Sequence, residues 1–119
     1  MNRSKYLQQK NLIKKRLLAN LSESGTNYLS PSSVRAYINY TSDFLFYLRE
    51  NFISEEKVKR TDIHCYMAKC KASGDSPKLI NRKVAAVKRY YSYLQKRGRI
   101  SNNPADGLYL RTQKKNIPT

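Results

Sequence analysis

The segment 76–99 carries eight Lys or Arg residues and no Asp or Glu: Lys78, Arg82, Lys83, Lys88, Arg89, Lys96, Arg97 and Arg99. Unopposed cations at this density suit one kind of chemistry, the neutralisation of phosphates and release of the counterions a polyanion carries. A second acid-free block, 1–22, adds Arg3, Lys5, Lys10, Lys14, Lys15 and Arg16. Between them, 23–75 holds seven basic and seven acidic residues, an ordinary balanced surface. The whole chain has 119 residues and a formal charge of +16. Solubility alone does not call for charge of one sign gathered in blocks, so the expected partner is a nucleic acid or an acidic surface.

Covalent chemistry finds no constellation. The single histidine, His64, sits beside Cys65, and adjacent helical positions do not face each other. Cys65 and Cys70 would point about 140° apart on a helix, so they cannot pair there. No metal set and no phosphate-cradling glycine loop can be assembled, and no cofactor is expected. Apolar runs fall short of the ~18–20 residues of a membrane span, and two free thiols suit a reducing cytoplasm. Ten tyrosines are unusual. Tyr37, Tyr91 and Tyr93 read as core or semi-core rings; Tyr40, Tyr47 and Tyr90 have the alternative of stacking on a base or touching a phosphate.

Helices must position these groups. In 5–22, Leu7, Ile13, Leu17, Leu18 and Leu21 fall near one face, and Gly25 follows as a stop. In 31–49, Ser30 caps, Pro31 opens, and Val34, Tyr37, Ile38, Thr41, Leu45 and Leu48 recur at helical steps. A third helix runs from a Thr61 cap to about Lys71, with Ile63, Tyr66, Met67 and Cys70 inward. The fourth is capped by Ser76, opened by Pro77 and closed by Gly98, with Ile80, Val84, Val87, Tyr91 and Leu94 as its stripe. Asn103 to Leu108 reads as a capped turn, and Arg111 to Thr119 as a basic linker. Ser30-Pro31 and Ser76-Pro77 lie 46 residues apart, as do Tyr47-Leu48 and Tyr93-Leu94, which suggests two helices with similar roles.

These stations carry a family likeness. Ser30-Pro31-Ser32-Ser33-Val34-Arg35-Ala36-Tyr37 with Asp43-Phe44-Leu45-Phe46-Tyr47-Leu48 resembles the opening of the core-binding domain of tyrosine recombinases. Thr61-Asp62-Ile63 with Tyr66, then Ser76-Pro77 through Tyr93-Leu94, then Gly98, Ile100 and Asn103-Pro104-Ala105-Asp106-Gly107-Leu108, follow the family's order and spacing. The resemblance implies an all-α, four-helix SAM-like bundle of two helical hairpins over 1–110, with a short extra turn and an interdomain linker at 111–119. It implies one half of a clamp on double-stranded DNA. The other half would be a catalytic domain bearing the attacking tyrosine, which this chain lacks. No tyrosine here lies in that motif. The isolated domain is expected to be a monomer, and its parent an oligomer on DNA that integrates a mobile element, cytoplasmic and bacterial or phage-encoded.

Carried over position by position, the resemblance assigns DNA contact to Ser32, Ser33, Arg35 and Asn39 on the second helix and to Lys78 and Arg82 on the fourth. The residues themselves agree in part. Lys78 and Arg82 share a face away from the apolar stripe. Asn81 or Arg82 suits base edges, and Lys83, Lys88 and Arg89 suit steering or backbone contact. The family often has Thr where this chain has Leu79. Two other readings remain open: a stand-alone helical protein binding RNA or DNA, and a truncated antagonist of a full-length integrase.

Overall fold

The computed structural model describes residues 3–23 and 30–108, and of the first helix the side chains of 7–17. Four helices follow one another: α1 (Arg3–Glu23), α2 (Pro31–Glu50), α3 (Arg60–Ala72) and α4 (Pro77–Lys96), with a 3-10 turn at Glu55–Lys57. No strand occurs among the described residues. The architecture is all-α. Consecutive helices pack in pairs, α1 on α2 and α3 on α4, and α4 also lies along α1 and α2.

The 46-residue echo is physical. Ser30 (φ −66°, ψ 155°) and Ser76 (φ −73°, ψ 159°) are extended caps whose side chains accept from the Ser33 and Leu79 amides, each at 3.2 Å. Both helices then run 20 residues from a proline and end alike. The Ile53 amide bonds the Leu48 carbonyl at 2.9 Å, and the Arg99 amide bonds that of Leu94 at 3.0 Å. Such a closure needs a left-handed residue just before the donor. Gly98 takes it at φ 74°; on α2 the position falls to Phe52, at φ 56° and 96% exposed.

α4 supplies most of the core. Ile80, Val84, Val87, Tyr91 and Leu94 are all buried, as their spacing predicts. They meet Phe44 and Leu48 of α2 and Ile63, Tyr66 and Met67 of α3. The Phe44 ring stands edge-on to Tyr66 at 5.0 Å and to Tyr91 at 6.3 Å. The turn after α4 closes the core with Ala105, fixed by Asn103, whose Oδ1 accepts from the Ala105 amide and whose Nδ2 donates to the Lys88 carbonyl, both at 3.0 Å. A polar junction ties α1 to α4. Arg16 donates to the Tyr90 hydroxyl, which donates to Glu55 at 2.8 Å; the Tyr91 hydroxyl donates to the Glu55 carbonyl at 2.7 Å.

Some sequence expectations are corrected. Leu7 is 54% exposed, because six residues before Ile13 is not a whole number of turns and puts it about 120° off the stripe. Leu18, Leu21 and Gly25 lie outside the residues whose side chains or structure are described. On α2, Phe44 and Ser42 join Thr41, Leu45 and Leu48 in the interior, while Val34, Tyr37 and Ile38 are half-buried. Thr61 is not the cap of α3. The helix starts at Arg60, and Asp62 Oδ2 accepts from the Lys59 amide at 2.8 Å, so the chain turns earlier than a threonine cap would place it. Of the two readings open for Tyr90, packing is the one the structure bears out, since the ring is buried.

Two outcomes are expected. Phe52→Gly removes left-handed strain and loses no packing, so it should raise unfolding free energy in urea by about 0.5–1 kcal/mol after glycine's entropy cost; a loss would contradict the strain. Burial, then the nearby Glu55 carboxylate, pushes the Tyr90 and Tyr91 phenols above the ordinary 10.0, and burial does the same at Tyr66. The folded chain therefore keeps protons that the unfolded chain releases near pH 10. Stability should fall as pH rises above about 10, by about 1.4 kcal/mol per pH unit for each such phenol. The urea midpoint from pH 9 to 11 measures this, and phenolate absorbance from these rings should appear together with unfolding.

Candidate nucleic-acid interface

Opposite its core stripe, α4 carries a second one at the same period: Lys78, Arg82, Ala85, Arg89, Ser92 and Lys96, spaced 4, 3, 4, 3, 4. Small residues alternate with cations along it. The facing half of α2 is also small at Ser33 and Ala36, so the two helices leave a seam open to solvent. At its head is a cleft of about 320 Å³ lined by Ser32, Ser33, Ala36, Tyr37 and Tyr40 of α2 and Arg82 and Ala85 of α4. Tyr37 and Ala85 also line a wider hollow of about 730 Å³ that continues past Arg89, Ser92 and Lys96 to Arg60, Lys88 and Asn103. The two hollows form one trough, with Asp106 the only acid along it.

Three acids of other elements, Asp75, Asp106 and Glu56, pair with cations of α4 or of the turn after it. Lys83 pairs with Asp75 at 2.6 Å, both side chains below one-fifth exposed. Burial alone would lower the Lys83 ammonium; the Asp75 hydrogen bond overrides it and holds the group above its usual value. Burial raises Asp43, opposed by Lys83, Lys10 and Lys69. Arg99 meets Glu56 at 2.7 Å, and Lys88 meets Asp106 at 3.7 Å. Arg60 donates to the Asp106 carbonyl at 2.8 Å. Arg89 lies 4.9 Å over the Tyr37 ring and Arg97 5.1 Å over Tyr93. Arg82 and Lys78 are exposed and have no partner among the described residues.

The structure gathers some of the expected contact residues and separates others. Ser32, Ser33 and Arg82 meet in the cleft. Lys88 and Arg89 line the wider hollow. Lys78 is exposed one turn before Arg82 on the same stripe. Arg35 is exposed and Asn39 half-buried on α2, and neither lines the trough. Asn81 is half-buried and does not line the trough, and Lys83 faces Asp75. Of the rings weighed for base contact, Tyr40 reaches the cleft, whereas Tyr47 packs on Phe44 and Tyr66 and Tyr90 is interior. Sequence reasoning missed Tyr37, Ala36, Ala85, Arg60 and Ser92. The 78–82–85–89–92–96 period was the available signal, since it marks small residues and cations as one face. Arg16, one of the first block's cations, is turned inward to Tyr90 and Glu55.

Residues 15–98 match the family model described as phage integrase, N-terminal SAM-like domain. The chain belongs to this family. Among curated relatives, tyrosine recombinase XerC of Listeria innocua is 32% identical over 97 residues, covering 81% of this chain and 32% of its own. XerC of Chlorobaculum parvum is 29% identical over 97 residues, covering 76% and 29%. Tyrosine recombinase XerD of Listeria innocua is 25% identical over 92 residues, covering 76% and 31%. The chain thus spans under a third of the length of these relatives, and the matched span of the family model contains α2, α3 and α4 entire. No solved structure matches. No helix of the described residues is long and apolar enough to cross a membrane.

The Lys83–Asp75 pair separates two roles for a cation on α4. Lys83→Met leaves Asp75 without its partner in a half-buried site, so unfolding free energy should drop by about 1–2 kcal/mol. The salt dependence of nucleic-acid binding should not change. A lower salt slope with unaltered stability would show that Lys83 serves the ligand instead.

Proposed function

We propose that this chain is the double-stranded-DNA-binding module of a site-specific tyrosine recombinase. In this reading it grips the recombination site as one half of a clamp, for the integration or recombination of a mobile element. The observation that carries it is the α2–α4 trough, a solvent-open seam one helix face wide, bordered by Arg60, Lys78, Arg82, Lys88, Arg89 and Lys96 against one acid. A B-form major groove admits an α-helix, and α4 presents Lys78, Arg82, Arg89 and Lys96 on a single face. The positive dipole end of α2 borders the same cleft at Ser32 and Ser33, which suits phosphate. Ser32, Ser33, Arg35, Asn39, Lys78, Arg82, Lys88 and Arg89 are the proposed contacts, with Arg35 and Asn39 on the flank of α2. Asn81 and Lys83 support α4 from the side.

Strand cleavage belongs to a catalytic domain of the parent protein, which is the second proposed partner. Synapsis and oligomerisation would need that domain as well. The module works in the cytoplasm as a monomer until it meets DNA.

The test is a duplex titration across salt concentrations. If about six phosphates are neutralised, log K should fall with log salt at a slope near −5. Arg82→Ala with Lys78→Ala should flatten that slope by about 2 and weaken binding far more than Lys114→Ala with Lys115→Ala. Equal losses from the two pairs would refute the groove-facing role of α4. Tighter binding to structured RNA than to duplex DNA in a side-by-side titration would favour the RNA reading.

A further inference from the structure

The cleft at the head of the trough has a lining that phosphate binding does not require. Ser32, Ser33 and Arg82 supply donors and charge, yet Ala36 and Ala85 also line the cleft, together with Tyr37 and Tyr40. Only one cation stands at the lip. Arg82 is exposed and has no partner among the described residues, whereas Arg89, two turns further along the same face, is held over the Tyr37 ring. An unpaired guanidinium beside an apolar hollow is a composite of two recognition chemistries. The planar fork of arginine matches the O6 and N7 acceptors of guanine, and alanine or aromatic surface suits the 5-methyl group of thymine.

We infer that the Arg82–Ala85–Ala36–Tyr40 cleft is a base-reading subsite for a thymine next to a guanine in the major groove, Arg82 taking the guanine edge and the apolar lining the thymine methyl. The inference rests on the reading of this face as the duplex-binding one and names what that face reads. Charge and shape divide the labour along α4. Lys88 and Lys96 line the wide end of the trough, where ammonium groups suit phosphates of any sequence. Sequence is read where the seam narrows and a side chain is free to reach a base edge. Ala85 matters for its size: a larger side chain there would fill the hollow between α2 and α4. Tyr40 lines it too.

Selection of bound duplexes from a random library by the 119-residue chain, followed by titration of the enriched site, tests this. The enriched sites should share a thymine adjacent to a guanine. Replacing that thymine by deoxyuridine removes only the methyl and should weaken binding about fourfold, with no such effect at other thymines. Arg82→Lys keeps the charge but not the fork, so it should retain binding to bulk DNA and lose tenfold or more of the preference for guanine at that step. Ala85→Leu should likewise abolish the deoxyuridine effect. An enriched site without this step, a harmless deoxyuridine, or an Arg82→Lys loss spread evenly over all sequences would each overturn the subsite while leaving duplex binding intact. Absence of any duplex binding would remove both the subsite and the function on which it rests.

Discussion

One helix does two incompatible jobs, and the domain is arranged around reconciling them. α4 must bury a full apolar stripe from Ile80 to Leu94 and also carry cations with no acid of its own. Like charges spaced three and four residues apart destabilise a helix by a few tenths of a kcal/mol per pair. Tertiary burial offsets that many times over, since a buried leucine, isoleucine or valine contributes about 1.5–3 kcal/mol. The core stripe is therefore what lets the charged face exist in an ordered form.

The acids are placed to the same end. Asp75 precedes α4 and takes Lys83; Glu56, in the 3-10 turn, takes Arg99; Asp106, in the turn after α4, meets Lys88. Glu55 takes the Tyr90 hydroxyl, and its carbonyl takes that of Tyr91. Asp75 and Asp106 thus relieve repulsion on the flanks of α4, and Glu56 does so just past its end, without lining the cleft beside α2. Exposed ion pairs are individually worth little. Their effect is positional: among the described residues they leave Arg82 and Lys78 of the outward stripe without a partner. A phosphate meeting this surface finds charge that no carboxylate has already used.

Much of this was readable in the sequence because the caps are strong. Ser-Pro starts and the closing Gly98 gave α2 and α4 to within a residue or two, and the 4–3–4–3 recurrence of Ile80, Val84, Val87, Tyr91 and Leu94 gave the core face. The start of α3 was misjudged because an aspartate three residues in can hold the cap amide in place of a threonine hydroxyl. Leu7 was misplaced because hydrophobicity was counted without its phase. The partition of the candidate site was the least legible part. Lys83 and Arg82 are adjacent in sequence, yet 100° of helical rotation sends one to Asp75 and the other to the cleft. The cleft itself is made by what is missing at Ser33, Ala36 and Ala85, and small residues leave no mark in a charge map. Knowledge of which helix faces α4 was needed to see it.

The proposed function places DNA on the α2–α4 seam. Amide chemical-shift changes on titrating the chain with duplex DNA test it directly, residue by residue. The largest changes are expected at Ser32 to Tyr40 and at Lys78 to Arg89, with little change at the exposed face of α3 around His64 and Cys65 or at Phe52. Changes centred on α3 or on Phe52, with the seam silent, would contradict it.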